Sequence, residues 1–173
     1  MPDQAEGLVF MEKEIVDMTK KSLKYFMRST EPEIVTVPAP KSFKDEEGNV
    51  LQLEIKKLTQ EEINHLNDKY RSRSMATDNK GNPLVANGEV IWKTERNGAR
   101  ASRHIIVEAL QYPNLKDPEL MKHYGAVDVT DMPLKVFSKA DEYEYISRVV
   151  MQALGLAPGA DDKDEKDLDA AKN

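Results

Sequence analysis

Apolar residues at Leu8, Met11, Ile15 and Met18 recur at spacings of three and four, which traces one stripe of a helix over Leu8 to Met27. The series breaks at Ser22, and a second set, Val16, Leu23, Phe26 and Met27, falls on an adjoining face. A helix apolar on two sides has to bury both. It packs on its own domain, or it docks on a neighbouring subunit or a client helix. Methionines at 11, 18 and 27 suit a surface that re-packs against varied partners, because the thioether chain is unbranched and polarizable. Leu8, Met11, Ile15, Met18 and Phe26 are the candidate contact residues.

The pattern then changes period. Ile34 to Val37 is a β-branched run with prolines on both sides, which predicts an edge strand, since proline removes a ladder donor. Leu51, Leu53 and Ile55 alternate with Gln52, Glu54 and Lys56, the mark of a half-buried strand. The two runs are expected to pair as an antiparallel hairpin across KSFKDEEGN. A helix start follows, with Thr59 as N-cap, Glu62 reaching back to it, and Ile63, Leu66 and Tyr70 as the buried stripe down to about Arg73. Between Ser74 and Gly98 turn signals dominate. Asn87-Gly88 between two short apolar runs predicts a small hairpin, or a loop that orders on binding. The single tryptophan, Trp92, lies on it, and is either a local anchor or part of a partner-binding arm.

Helical spacing returns at Arg100 to Gln111, with Ala101, Ile105, Ala109 and Tyr112 on one face and Ile106 and Leu110 broadening it; this should be the most buried element, stopped by Pro113. Asp117-Pro118-Glu119 starts a helix of two turns at most, and Gly125 fits its left-handed end. Thr130, Asp131 and Pro133 open another short helix carrying Met132, Leu134, Val136 and Phe137. Ser138 with Asp141 is expected to cap the last one, whose stripe is Tyr143, Ile146, Val150 and Leu154 and whose stop is Gly155. From residue 157 the chain is acidic, with Leu168 as its one large apolar residue, and is expected to be disordered. No internal repeat is visible. The organisation expected is an N-terminal helix over 1–30, a domain over 31–156 with an excursion at 74–98, and a tail over 157–173. The fold class is α+β, mainly α: an N-terminal amphipathic helix, a β-hairpin, then a compact bundle of short and medium helices.

Composition narrows the function. With 39% hydrophobic and 32% charged residues and a mean hydropathy of -0.64, the chain reads as soluble. No apolar run approaches the roughly 20 residues of a membrane span, and MPDQAEG has neither the basic start nor the apolar block of a secretory signal, so a cytoplasmic location and no membrane partner are expected. The absence of cysteine removes disulfides and thiolate chemistry. The net charge of -6 hides a reversal, because Lys69 to Arg103 holds eight bases against three acids. Only Tyr70 and Trp92 accompany those bases, so a solvated face or a patch for an acidic partner is the reading, and no nucleic acid is expected. His65, His104 and His123 fall on three different predicted helices, with only surface-type pairings such as Glu108 for His104. With no phosphate loop, dinucleotide fingerprint or nucleophile elbow either, no metal, no cofactor and no enzymatic activity are expected.

The order of pieces is itself distinctive. KSFKDEEGNVLQLEIKKLTQEEI, then HIIVEALQYPNLKDPELMKHYGAV, then SKADEYEYISRVVMQALGL together resemble the XkdN-like tail assembly chaperones of tailed phages and phage-derived tails, over roughly Pro40 to Leu156. The most specific part is Glu108 to Gly125, where a helix ends in a proline-asparagine turn and another starts on lysine-aspartate. The long N-terminal helix and the basic excursion at 74–98 depart from the short family pattern. The resemblance implies a non-enzymatic protein that binds the long, helical tape measure protein while the tail tube protein polymerises around it, that self-associates, and that is absent from the finished tail. A structural or adaptor protein retained in the tail, docking through the basic segment, is the alternative.

Overall fold

The computed structural model describes residues 22–157 of the chain. Leu8, Met11, Ile15, Met18 and the acidic tail beyond Ala157 therefore lie outside the described residues. Two units divide at Glu31/Pro32. In the first, the described end of the expected N-terminal helix is a 3-10 turn, Leu23–Phe26, with no buried residue. The α-helix expected to run on to Met27 is therefore replaced by a tighter turn here.

The second unit is mixed α/β. β1 (Ile34–Pro38) pairs antiparallel with β2 (Gln52–Lys56) from Ile34 opposite Lys56 to Pro38 opposite Gln52. β1 is an edge strand, as its prolines require. Leu53 and Ile55 point into the core while Gln52 and Glu54 face out. The connection turns at Asp45, whose Oδ1 accepts the amides of Glu47 and Asn49 at 2.9 and 2.8 Å. Phe43 packs edge-on against Phe137, ring centroids 5.4 Å apart, and so ties this connection to the helical layer.

α1 (Gln60–Lys69) begins on the expected capping box. The Thr59 hydroxyl accepts the Glu62 amide at 3.2 Å and the Glu62 carboxylate accepts the Thr59 amide at 2.7 Å. Each bond satisfies a donor that the helix cannot. Ile63 and Leu66 are buried. The helix stops at Lys69, earlier than expected, and a longer strand, β3 (Arg71–Met75), follows at once. Two short strands, β4 (Val85–Ala86) and β5 (Glu89–Val90), and then β6 (Trp92–Arg96) complete a ribbon taken up below.

α2 (Gly98–Ala109) is the most buried helix described, with Ala101, Ile105, Ile106, Val107 and Ala109 at 3% exposure or less. It touches α1, β2 and each of the later helices α4 and α5. Fully burying one such aliphatic chain contributes about 1.5–3 kcal/mol. The helix ends at Ala109, four positions before Pro113 rather than at it. Leu110 to Tyr112 instead form β7, which adds a third strand beyond β2. Leu110 faces Ile55 and Tyr112 faces Glu54, so Gln111 is an extra, bulged residue. The physical reason is twofold: Pro113 biases Tyr112 to an extended backbone, and β2 has unpaired ladder groups on that side. Tyr112 is consequently half exposed and is not part of the buried helix face.

α3 (Pro118–His123) starts on Asp117, whose Oδ1 accepts the Glu119 and Leu120 amides. It ends in a complete Schellman motif: the Gly125 amide bonds Lys122 O, the Ala126 amide bonds Met121 O, and Gly125 has φ +59°. A 3-10 turn, Val129–Asp131, flows into α4 (Met132–Val136), capped by Asp128 rather than by Thr130 or Asp131. Met132, Val136 and Phe137 are buried but Leu134 is exposed, because a one-turn helix presents only one side inward. α5 (Ala140–Ala153) buries Ile146 and Val150 and stops at Gly155. Ser138 does not cap it. The N-cap position is Lys139, without a side-chain bond, and the first-turn acids Asp141 and Glu142 complement the helix dipole instead.

One polar cluster is embedded between α1 and α2. His104 is 6% exposed, not the surface member of an ordinary helix pair that its spacing to Glu108 suggested. Its Nε2 faces Glu108 Oε1 at 3.4 Å, so the proton sits there and Nδ1 accepts the Tyr70 hydroxyl at 2.7 Å. Lys116 Nζ closes the chain on Glu108 Oε2 at 2.8 Å. Burial holds the His104 imidazole below its usual range, and the Lys69 and Lys116 charges act in the same direction against Glu108.

Two outcomes follow from this packing. Ile106→Ala should cost about 2–5 kcal/mol in chemical unfolding, since the cavity is walled on every side. Because His104 titrates lower in the folded chain than its usual ~6.5, the unfolded chain holds the extra proton between those two values. Its contribution is thus complete above about pH 6.5 and is lost as the pH falls below it. Urea midpoints compared at about pH 7 and about pH 5 should differ less in His104→Gln than in the unaltered chain.

Candidate functional site

Residues 71–96 leave the body and return to it at a single point. The Asn97 amide donates to the Tyr70 carbonyl at 3.0 Å, which closes the ribbon's base, and the Asn97 side chain accepts the Arg100 amide at 3.0 Å, which starts α2. Tyr70 is held by two residues: by His104, through the hydroxyl and an edge-on ring contact at 5.7 Å, and by the Arg100 guanidinium 5.3 Å from its ring centroid. Arg100 also pairs with Asp128, and Arg103 Nε donates to Thr130 O at 2.9 Å. Arg100 and Arg103 therefore serve the fold; they are not part of a free basic patch.

Beyond the root, β3 and β6 pair from Arg71 opposite Arg96 to Met75 opposite Trp92. Alternation sorts the side chains into two faces. One carries Arg71, Arg73 and Met75 with Trp92, Thr94 and Arg96; the other carries Ser72, Ser74, Lys93 and Glu95. Every residue of β6 is exposed, and Ser74 alone in β3 is partly covered. The ribbon thus has no buried face. Arg73 lies over the Trp92 ring, 4.9 Å from its centroid, and Lys93 pairs with Glu95 at 2.7 Å along the strand. Arg71 is drawn to Asp68 at 3.2 Å, which relieves its position opposite Arg96.

The tip is built from two turns. Asn87 (φ +54°) and Gly88 (φ +81°) form the expected type I′ turn between β4 and β5, with Val85 opposite Val90. The other is an unexpected copy of the β1–β2 turn. Asp78 Oδ1 accepts the Lys80 and Asn82 amides and its Oδ2 accepts Asn82 Nδ2 at 3.1 Å, as Asp45 does with Glu47 and Asn49. The sequence D-x-x-G-N occurs at both places, so a short turn repeat is present after all. Bonds from Asn82 and Lys80 hold the Asp78 carboxyl below the usual carboxylate range.

Met75, Leu84, Val85, Val90, Ile91 and Trp92 are all between 37% and 58% exposed on this one excursion. Of the residues expected to meet a partner, Trp92 belongs to that group, opposite Met75 at its root-side end, and Phe26 is 80% exposed in the 3-10 turn of the other unit. The other apolar members were missed. Their signal is present in the sequence: six large apolar residues on an Asn-Gly hairpin that is too thin to cover them.

An open cleft of about 630 Å³ lies between residues 38–42 and the start of α5. There Ser42 Oγ donates to the buried Glu142 at 2.5 Å, while Lys41, Lys139 and Arg148 offset Asp141 and Glu144. Among the described residues no group of three His, Asp or Glu side chains is placed to hold a metal, and no helix is long and apolar enough to cross a membrane.

Comparison with known proteins places this arrangement. The sequence model of the phage XkdN-like tail assembly chaperone proteins matches residues 23–172. The uncharacterised protein YqbN of Bacillus subtilis (strain 168) is 31% identical over 153 residues, covering 87% of this chain and 93% of the relative. Protein XkdN of the phage-like element PBSX of the same organism is 25% identical over 146 residues, covering 83% and 91%. The crystal structure of YqbN superposes with a TM-score of 0.61 at 25% identity over 79% of this chain and 98% of that one. With the proline-asparagine turn and the Asp117 start in place, and with a family match over most of its length, this chain belongs to the XkdN-like phage tail assembly chaperones.

Proposed function

We propose that this protein binds the tape measure protein and keeps it soluble in the host cytoplasm while the tail tube polymerises, without catalysing a reaction. Membership of a tail assembly chaperone family supports the role. The observation that carries the contact is the ribbon: apolar side chains held out in water beside Arg71, Arg73 and Arg96. A long client helix with exposed apolar stripes needs cover that is wide, weak at each contact and easily displaced. A ribbon exposed on both faces offers that, and an arginine stacked on tryptophan also suits acidic residues beside a client's apolar stripe. Leu8, Met11, Ile15, Met18 and Phe26 form a second contact surface in this reading, and the tail tube protein is a further partner.

The basic ribbon face also supports the alternative of an adaptor that stays in the tail. Mass spectrometry of purified particles separates the two, because the chaperone should be missing.

Co-expression with the tape measure protein tests the main reading. The unaltered chain should raise the soluble fraction of that client. Trp92→Ser should weaken the complex by about 30-fold, ~2 kcal/mol, with the circular dichroism of the body unchanged. A client equally insoluble with and without this chain would refute the role. Deleting residues 1–28 should lower client binding and leave the fold of 32–157 intact.

A further inference from the structure

The free edge of β6 is complementary to itself. Two bonds bracket the ribbon ladder: the Asn97 amide to Tyr70 O at 3.0 Å and the Ala76 amide to Ile91 O at 2.8 Å. Bonded pairs recur at every second residue, so Ser72 with Glu95 and Ser74 with Lys93 use their backbone groups inside the ribbon. Trp92, Thr94 and Arg96 therefore turn their amides and carbonyls outward. Among the described residues nothing pairs with them, since the ribbon is a two-stranded sheet.

The strand reads Trp92-Lys93-Thr94-Glu95-Arg96. Let a second copy lie antiparallel along it, with a two-fold axis at Thr94. Thr94 then faces Thr94, Trp92 faces Arg96 in both directions, and Lys93 faces Glu95 in both directions. Every cross-strand pair is favourable: a cation over an aromatic ring, opposite charges, and two hydroxyls. The backbone phase agrees, because the three residues that point outward are those that meet, giving about six inter-chain hydrogen bonds. The other edge does not work. A two-fold on β3 at Arg73 sets Arg73 against Arg73, and joining β3 to β6 in the ribbon's own register repeats the Arg71–Arg96 opposition.

We propose that this protein pairs with a second copy of itself through β6, forming a continuous four-stranded antiparallel sheet in the order β3-β6-β6-β3. The pairing gives Arg96, which faces Arg71 within its own ribbon, a tryptophan on its other side. It links Lys93 and Glu95 of both copies into a square of alternating charge. The arms run in opposite directions, so each tip extends toward the root of the other arm. The pairing joins the strands edge to edge through the backbone of β6 and leaves both faces of the ribbon open to a client.

Sedimentation equilibrium of the full chain, with no client present, should give about twice the 19.6 kDa chain mass. Lys93→Glu opposes two carboxylates on each side of the axis and should raise the dimer dissociation constant by about 10-fold or more; Glu95→Lys should do the same with two ammonium groups. Exchanging both, K93E with E95K, restores every pair and should restore the dimer. The chain has no cysteine, so Thr94→Cys provides a positional probe: mild oxidation should produce a covalent dimer, since facing Cα atoms in such a pair are about 5.5 Å apart. A monomeric unaltered chain would overturn the proposal. So would a dimer that neither single reversal weakens, or a folded double exchange that stays monomeric. Because no client is used, the result stands apart from the reading of the chaperone role.

Discussion

A helix buried on nearly all sides has to be surrounded, and α2 imposes that requirement on the rest of the second unit. Ile105, Ile106 and Val107 are consecutive and all buried, so no single layer can cover them. The sheet takes one side, α1 another, and the 3-10 turn with α4 and α5 the remainder. The connector from Tyr112 to Phe137 bends often because it must carry the chain around this helix within one small core. Pro113, Asp117 and Gly125 set those bends, and each acts within one turn of itself. The polar ends of α2 are also occupied, by Asn97 and Asp128 at the start and by Lys116 on Glu108 near the finish. What is anchored to α2 is anchored to the least yielding part of the molecule.

The ribbon obeys the opposite condition. It has hydrogen bonds and ion pairs but no covered face, and a two-stranded hairpin of that kind is marginal alone in water. Its order comes from the root, where Tyr70 is gripped by His104 and Arg100. Stability is thus graded along one chain, from a packed helix to an arm whose apolar groups await cover. Under the proposed role, in which a client is held and then released, that gradient separates what must persist from what must yield.

The features legible in the sequence are those decided by near neighbours. Thr59 with Glu62, Asp117 with Pro118 and Asn87 with Gly88 each settle their geometry within about four residues, and the structure has all three. The features that were not legible depend on distant partners. Leu110 to Tyr112 carry helical spacing, yet a strand edge supplied by residues 52–56 claims them. Arg100 and Arg103 count as free positive charge until Asp128 and Thr130 are brought beside them. His104 has the spacing of a surface pair with Glu108, and the packing of α1 on α2, with Tyr70 bonded to the ring, makes it a buried group. For the candidate site, the hairpin and Trp92 could be read, whereas the exposure of Met75, Val85 and Ile91 depended on learning that the described residues add no third strand to the ribbon.

The bond between Asn97 and Tyr70 also insulates the body from the arm. It brings the two ends of residues 71–96 together, so the body experiences the whole excursion as one closed turn between two helices. Closing a longer or shorter loop across such a junction changes the cost only slowly with length. The arm is therefore an interchangeable cassette. A change of its length or charge would leave the packing of the core beneath it untouched.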